Sequence, residues 1–142
     1  MFSAKPSASI ITKGFWLAGA YNVLGVLIFS KLFTNTLLSS LDPAVFSWLG
    51  LLAIVLWGLA YASVANAYPS VPYLVLVFFV EKMVYTVTWL AWLVRNGDAL
   101  PSLYSESPLT AVFFSIYGAG DLAFGLFFLW VAIHVFSGRN AA

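Results

Sequence analysis

Glu81, Lys82 and Asp121 are the residues of this sequence best placed to do chemistry, because each interrupts a long apolar run. Two carboxylates near one ammonium group can form a buried ion pair or exchange a proton. They can also act as acid and base in isomerising a hydrophobic substrate. Adjacent helical residues point about 100° apart, so Glu81 and Lys82 cannot share one face. Lys82 can pair with Asp121 across helices. Glu81 has Tyr85 and Thr88 as local companions, and Asp121 has Tyr117 one turn before it. Tyr21, Asn22 and Tyr61 can add hydroxyl or amide partners. The candidate polar site is thus Glu81, Lys82, Asp121, Asn22, Tyr85, Tyr117 and Tyr61.

Other chemistries are poorly supplied. The single histidine, His134, lacks partners at metal-ligand spacing and belongs at a helix end. One histidine also excludes histidine-rich di-iron oxygenases and two-histidine haem sites. The absence of cysteine removes disulfides, thiol redox chemistry and zinc-thiolate sites. No serine, histidine and acid are spaced for acyl transfer. The stretch YGAGDLAFG, Tyr117–Gly125, has three glycines around Asp121 but neither the lysine nor the strand context of a phosphate loop. Close helix packing explains it better. Neither a cofactor nor a metal is expected.

The elements that hold these residues are set by composition. The chain has 142 residues, 63% of them apolar and only 8% charged, where globular chains carry roughly 25% charged residues. Mean hydropathy is +0.99. So few charges cannot cover a small globule, and a bilayer is the natural solvent. A net charge of +1 gives no pull toward nucleic acid. Spanning helices need about 20 mostly apolar residues, which places four spans at about 12–32, 44–67, 72–94 and 109–136. Asn66, Pro69 and Pro72 break the uncharged stretch between the second and third spans. Runs such as LGLLAIVLWGLAYA do not alternate, which argues against a β-barrel. The expected fold is all-α: one domain over residues 1–142, an integral membrane bundle of four antiparallel helices in up-and-down order. Lys13 lies inside the apolar region that a cleaved leader would need, and the next 17 residues continue as a full span, so that run is expected to stay as a helix.

Small residues at four-residue steps mark the expected packing faces. They are Gly14, Ala18 and Asn22 in the first span, and Gly50, Gly58, Ala62 and Asn66 in the second. Gly118 and Gly125 play the same part in the fourth. The same stripes would serve a homo-oligomer. Residues 31–43 and 95–108 are expected as connectors, the second with turns at Asn96-Gly97-Asp98 and at two prolines. Asp42-Pro43 is a helix start. Counting Lys5, Lys13 and Arg139 against Lys31 and Arg95 puts both termini on the cytoplasmic side. The layout resembles small bacterial four-helix inner-membrane proteins, which implies a plasma-membrane location.

Along the helix axes, Glu81 and Lys82 lie about 12–14 Å from one end of their span, and Asp121 about 18 Å from the other end of its own. They are therefore expected at similar depth, with Asn22 close to it. One charge at a helix centre costs about 2.5–3.5 kcal/mol, so all three need compensation. Two arrangements supply it: a structural polar knot, or a pocket for the head of a lipophilic ligand. The expected function is non-catalytic, either binding such a ligand or serving as a small subunit of a larger membrane complex. The alternatives are a proton-coupled transporter working as a homo-oligomer and a membrane isomerase using Glu81 and Asp121.

Overall fold

The computed structural model describes residues 8–142, and Lys5 lies outside them. The described chain is helical, with no strand. α1 spans Ala8–Phe29. Two short helices follow, α2 (Thr36–Leu41) and α3 (Pro43–Phe46), and then α4 (Trp48–Val64). A turn and one 3-10 segment lead to α5 (Pro72–Asn96). A second 3-10 segment precedes α6 (Leu100–Glu106), and α7 runs over Pro108–Asn140. α1, α5 and α7 are long and apolar enough to cross a membrane; α4, at 17 residues, is a shorter apolar helix.

Local chemistry accounts for the boundaries. Asn35, Asp42 and Ser47 cap α2, α3 and α4 by accepting hydrogen bonds from backbone N–H groups of the first turns. Asp42-Pro43 does start a helix, but only the four-residue α3. Ser47 then restarts the chain, so the long helix begins at Trp48 and ends at Val64, inside the expected 44–67. The expected 95–108 connector is largely helical. Pro101 and Pro108 sit in the first turns of α6 and α7, where a missing N–H costs nothing, so they open helices rather than turns. Leu103 of α6 is buried, and Tyr104 Oη lies 2.8 Å from Ser115 Oγ on α7.

α1 ends in an unusual turn. Lys31, Leu32 and Phe33 have φ of 50, 56 and 68° in succession, a region costing roughly 1–2 kcal/mol for each residue with a Cβ. Hydrogen bonds offset that cost. Ser30 Oγ accepts from Phe33 N–H at 2.9 Å, and Asn35 N–H donates to Ser30 O at 2.8 Å. The Asn35 amide also donates to Phe29 O and to Thr110 Oγ1, both at 3.0 Å, tying the turn to the start of α7.

The four longer helices form two tightly packed pairs, α1 with α4 and α5 with α7; α1 and α7 approach more thinly. α1 and α4 cross at Gly19 and Gly58. A Cβ on Gly19 would stand 2.8 Å from the Gly58 carbonyl oxygen, and one on Gly58 would stand 2.9 Å from the Gly19 oxygen. Ala18 and Asn22 of the expected α1 stripe are buried, whereas Asn66 of the α4 stripe is exposed, because α4 has ended two residues earlier. Backbone atoms obstruct a larger side chain at the crossing, so Gly58→Leu should destabilise the fold by about 1–3 kcal/mol. Unfolding of the purified protein in detergent measures it.

Candidate functional site

The apolar interior is in two parts. One cluster, which includes Phe15, Tyr61, Phe78 and Phe128, fills the end that carries both described chain ends. The other, which includes Val26, Phe46, Trp92 and Phe114, fills the opposite end. Between them lies a polar layer of Asn22, Glu81, Lys82, Thr86 and Asp121, all buried. Each long helix passes from one cluster to the other through this layer. Antiparallel order is therefore what brings position 22 of α1, 81–82 of α5 and 121 of α7 to one depth.

Lys82 is 1% exposed. Its Nζ donates to Asp121 Oδ1 at 2.7 Å and to Asn22 Oδ1 at 2.8 Å. It also lies 5.3 Å from the Tyr21 ring centroid and 5.2 Å from that of Tyr61, both within cation–π range. The Asn22 amide nitrogen donates to Ile54 O at 3.0 Å, which fixes its oxygen toward the lysine. Thr86 Oγ1 donates back to Lys82 O at 2.8 Å.

Glu81 takes its hydrogen bond from the Tyr61 hydroxyl. The expected local companions do not serve it: Thr88 Oγ1 bonds to Val84 O, and Tyr85 lines a cavity instead. Tyr61 reaches Glu81 from α4, in the other helix pair, and its ring is held at 4.9 Å by both Phe78 and Phe128. Sequence placed Tyr61 among possible partners but could not aim it, because only the side-by-side placement of α4 and α5 brings the phenol within reach. Tyr21 Oη donates to Tyr117 O at 2.7 Å. Three hydrogen bonds thus join the longer helices of the two pairs: Tyr61 to Glu81, Lys82 to Asn22, and Tyr21 to Tyr117.

A cavity of about 70 Å³ opens off this layer, between the pairs. Asn22, Glu81, Lys82 and Asp121 line it, with the rings of tyrosines 21, 85 and 117. Its other walls are apolar: Val26, Phe29, Phe46, Ile54, Phe113 and Ile116. Every candidate site residue except Tyr61 lines it. Phe29, Phe46 and Phe113 had no signal in sequence, being phenylalanines among many. Tyr117 is 5% exposed, and among the described residues its hydroxyl, sealed from the cavity, has no hydrogen-bond partner. A buried hydroxyl without a partner forfeits about 1–3 kcal/mol. Its ring is fixed by Phe113, stacked at 5.0 Å, and by Phe46, edge-on at 5.2 Å.

His134 stacks on Trp130 near the end of α7, away from this layer. Among the described residues, no three His, Asp or Glu side chains are grouped to hold a metal ion. Comparison of the chain with protein families, with characterised proteins and with solved structures gives no match. The reading of the site therefore rests on its geometry.

Removing one partner of a buried ion pair strands the other charge, at about 3–5 kcal/mol, while replacing both with apolar groups is far milder. Lys82→Met should therefore destabilise the protein strongly, and Lys82→Met with Asp121→Leu should recover most of the loss. Equilibrium unfolding of the two single variants and the double variant gives the coupling.

Proposed function

We propose that this chain is an integral membrane protein whose four antiparallel spans enclose a binding site for the polar head of a lipophilic molecule. The outward faces of the helices support membrane insertion. Leu17, Leu24 and Ile28 of α1, Leu56 and Leu59 of α4, Val80, Val84 and Val87 of α5, and Leu126 and Ile133 of α7 are all exposed. Lipid solvates such surfaces and water does not. At 17 residues α4 reaches only about 26 Å, and α3 together with the capped turn at Ser47 makes up the rest of a core about 30 Å thick. Exposed Trp48 and Tyr73 lie near helix ends, as interfacial anchors do. The excess of Lys and Arg on the side of the termini favours cytoplasmic termini, in a bacterial plasma membrane.

One observation carries the binding reading: Asp121, whose Oδ2 accepts no hydrogen bond from any described residue, lines a cavity with aromatic walls. A purely structural knot would satisfy its own groups. The enclosed volume is roughly half of the ~150 Å³ that admits benzene, so it takes a head group while the rest of the molecule lies outside. Transport is less favoured, because Phe15, Tyr61, Phe78 and Phe128 fill the interior between the polar layer and the end bearing the termini.

Two experiments test this reading. The cysteine-free chain allows single substitutions at the exposed Ser102 and Ser137. An impermeant maleimide applied to intact cells should label Ser102→Cys and spare Ser137→Cys; equal labelling of both contradicts the topology. Purified protein should carry a non-covalent lipophile near one-to-one by native mass spectrometry. Ile116→Trp, which enlarges a half-exposed side chain lining the cavity, should lose that species while the protein stays folded. Wild-type protein that carries no bound species would return the layer to a purely structural role.

A further inference from the structure

The cavity has a side opening, and its chemistry narrows what enters. This inference rests on the binding site proposed above and names the class of its ligand. The α1–α7 seam is closed at two levels. At one, Tyr21 packs on Phe124 with ring centroids 5.1 Å apart and donates to the Tyr117 carbonyl. At the other, Phe29 packs on Phe113 at 5.0 Å. Gly25 lies between these levels on α1, and a Cβ there would meet nothing within 4 Å. Gly25 and, on α7, Ile116 both line the cavity, and Ile116 is 53% exposed. The cavity therefore opens sideways, through a gap that Gly25 leaves between α1 and α7.

The polar end is matched to a hydrogen-bond-donating cation. It holds two carboxylates, Glu81 and Asp121, and one ammonium, that of Lys82, which is already engaged by Asp121 and Asn22. Glu81 is engaged by Tyr61. Asp121 gives Oδ1 to Lys82, and among the described residues no hydrogen bond is made to its Oδ2. Asp121 lines the cavity, so an N–H group of an entering cation can pair with that free oxygen. A quaternary ammonium has no N–H and would leave it unpaired. A phosphate-bearing head would bring charge of the wrong sign into a narrow space. We propose that the cavity takes the protonated primary amine of a single-chain amphiphile, bonded to Asp121, with its hydrocarbon chain leaving past Gly25 and Ile116.

The test uses the full chain in maltoside micelles with four probes of equal chain length: dodecylammonium, dodecyltrimethylammonium, dodecanol and dodecanoate. Trp89, whose ring lies 6.2 Å from that of Tyr117, provides a fluorescence readout, and Gly25→Leu provides the control for partition into micelles. Dodecylammonium should bind saturably and at least about tenfold more tightly than the other three, the margin of a charge-assisted hydrogen bond. Gly25→Leu should lose the saturable component while the protein stays folded, since a Cβ at this position meets nothing within 4 Å. Equal binding of dodecanol or of dodecyltrimethylammonium overturns the primary-amine assignment and leaves the lipophile site standing. Tightest binding of dodecanoate makes Lys82 the recognising group and overturns it equally. No saturable binding of any probe, with wild type and Gly25→Leu alike, removes the binding site together with its ligand class.

Discussion

One buried ammonium group organises this molecule. Lys82 Nζ, withdrawn from solvent at the middle of α5, must be compensated by oxygens and aromatic faces at fixed positions. Asp121 does so from α7, Asn22 from α1, and the rings of Tyr21 and Tyr61 from α1 and α4. All four longer helices thus converge on one atom. Apolar packing is forgiving of rotation and slippage, whereas a set of directional contacts is not. A helix that shifted by one residue would carry its partner about 100° away from the lysine.

The layer also divides the labour of holding the bundle together. Within each pair, backbones come close where side chains are small, as at Gly19 and Gly58. Between the pairs the contacts are long side chains: Tyr61 to Glu81, Lys82 to Asn22, Tyr21 to Tyr117. Long bridges leave space beside them, and the cavity occupies that space. Its aromatic walls and its polar end therefore follow from the same arrangement, in which two close-packed pairs are held slightly apart by phenols and an amine. A site at such a seam is lined by residues from both pairs, and small movements of one pair against the other alter it more than the interior of either.

Much of this could be read before any coordinates. The four apolar runs, the breaks at Pro69 and Pro72, the helical state and the Lys82–Asp121 pairing follow from composition and the geometry of a helix. Errors fell where local signals compete. Pro101 and Pro108 serve equally as turn residues and as first-turn residues, and Leu103 packing against α7 decided for helix. Asp42-Pro43 was a true cap, but of a single turn ended by Ser47. The three consecutive left-handed residues at 31–33 left no mark in sequence, since none is glycine or asparagine. Their stability comes from Ser30 and from Asn35 reaching Thr110, 75 positions away.

Sequence by itself determined the apolar runs, the helices they form and the identity of the charges buried within them, because hydropathy and the 3.6-residue turn are local properties. Tertiary structure alone decided the partner of each polar group. Glu81 bonds to Tyr61 rather than to Tyr85 or Thr88, and the Tyr117 hydroxyl has no partner among the described residues. Partner choice depends on distances between helices, which are set by where backbones can touch, at Gly19 and Gly58, and where bulky rings hold them apart. The cavity and the gap at Gly25 are products of those distances, and no spacing along the chain encodes them.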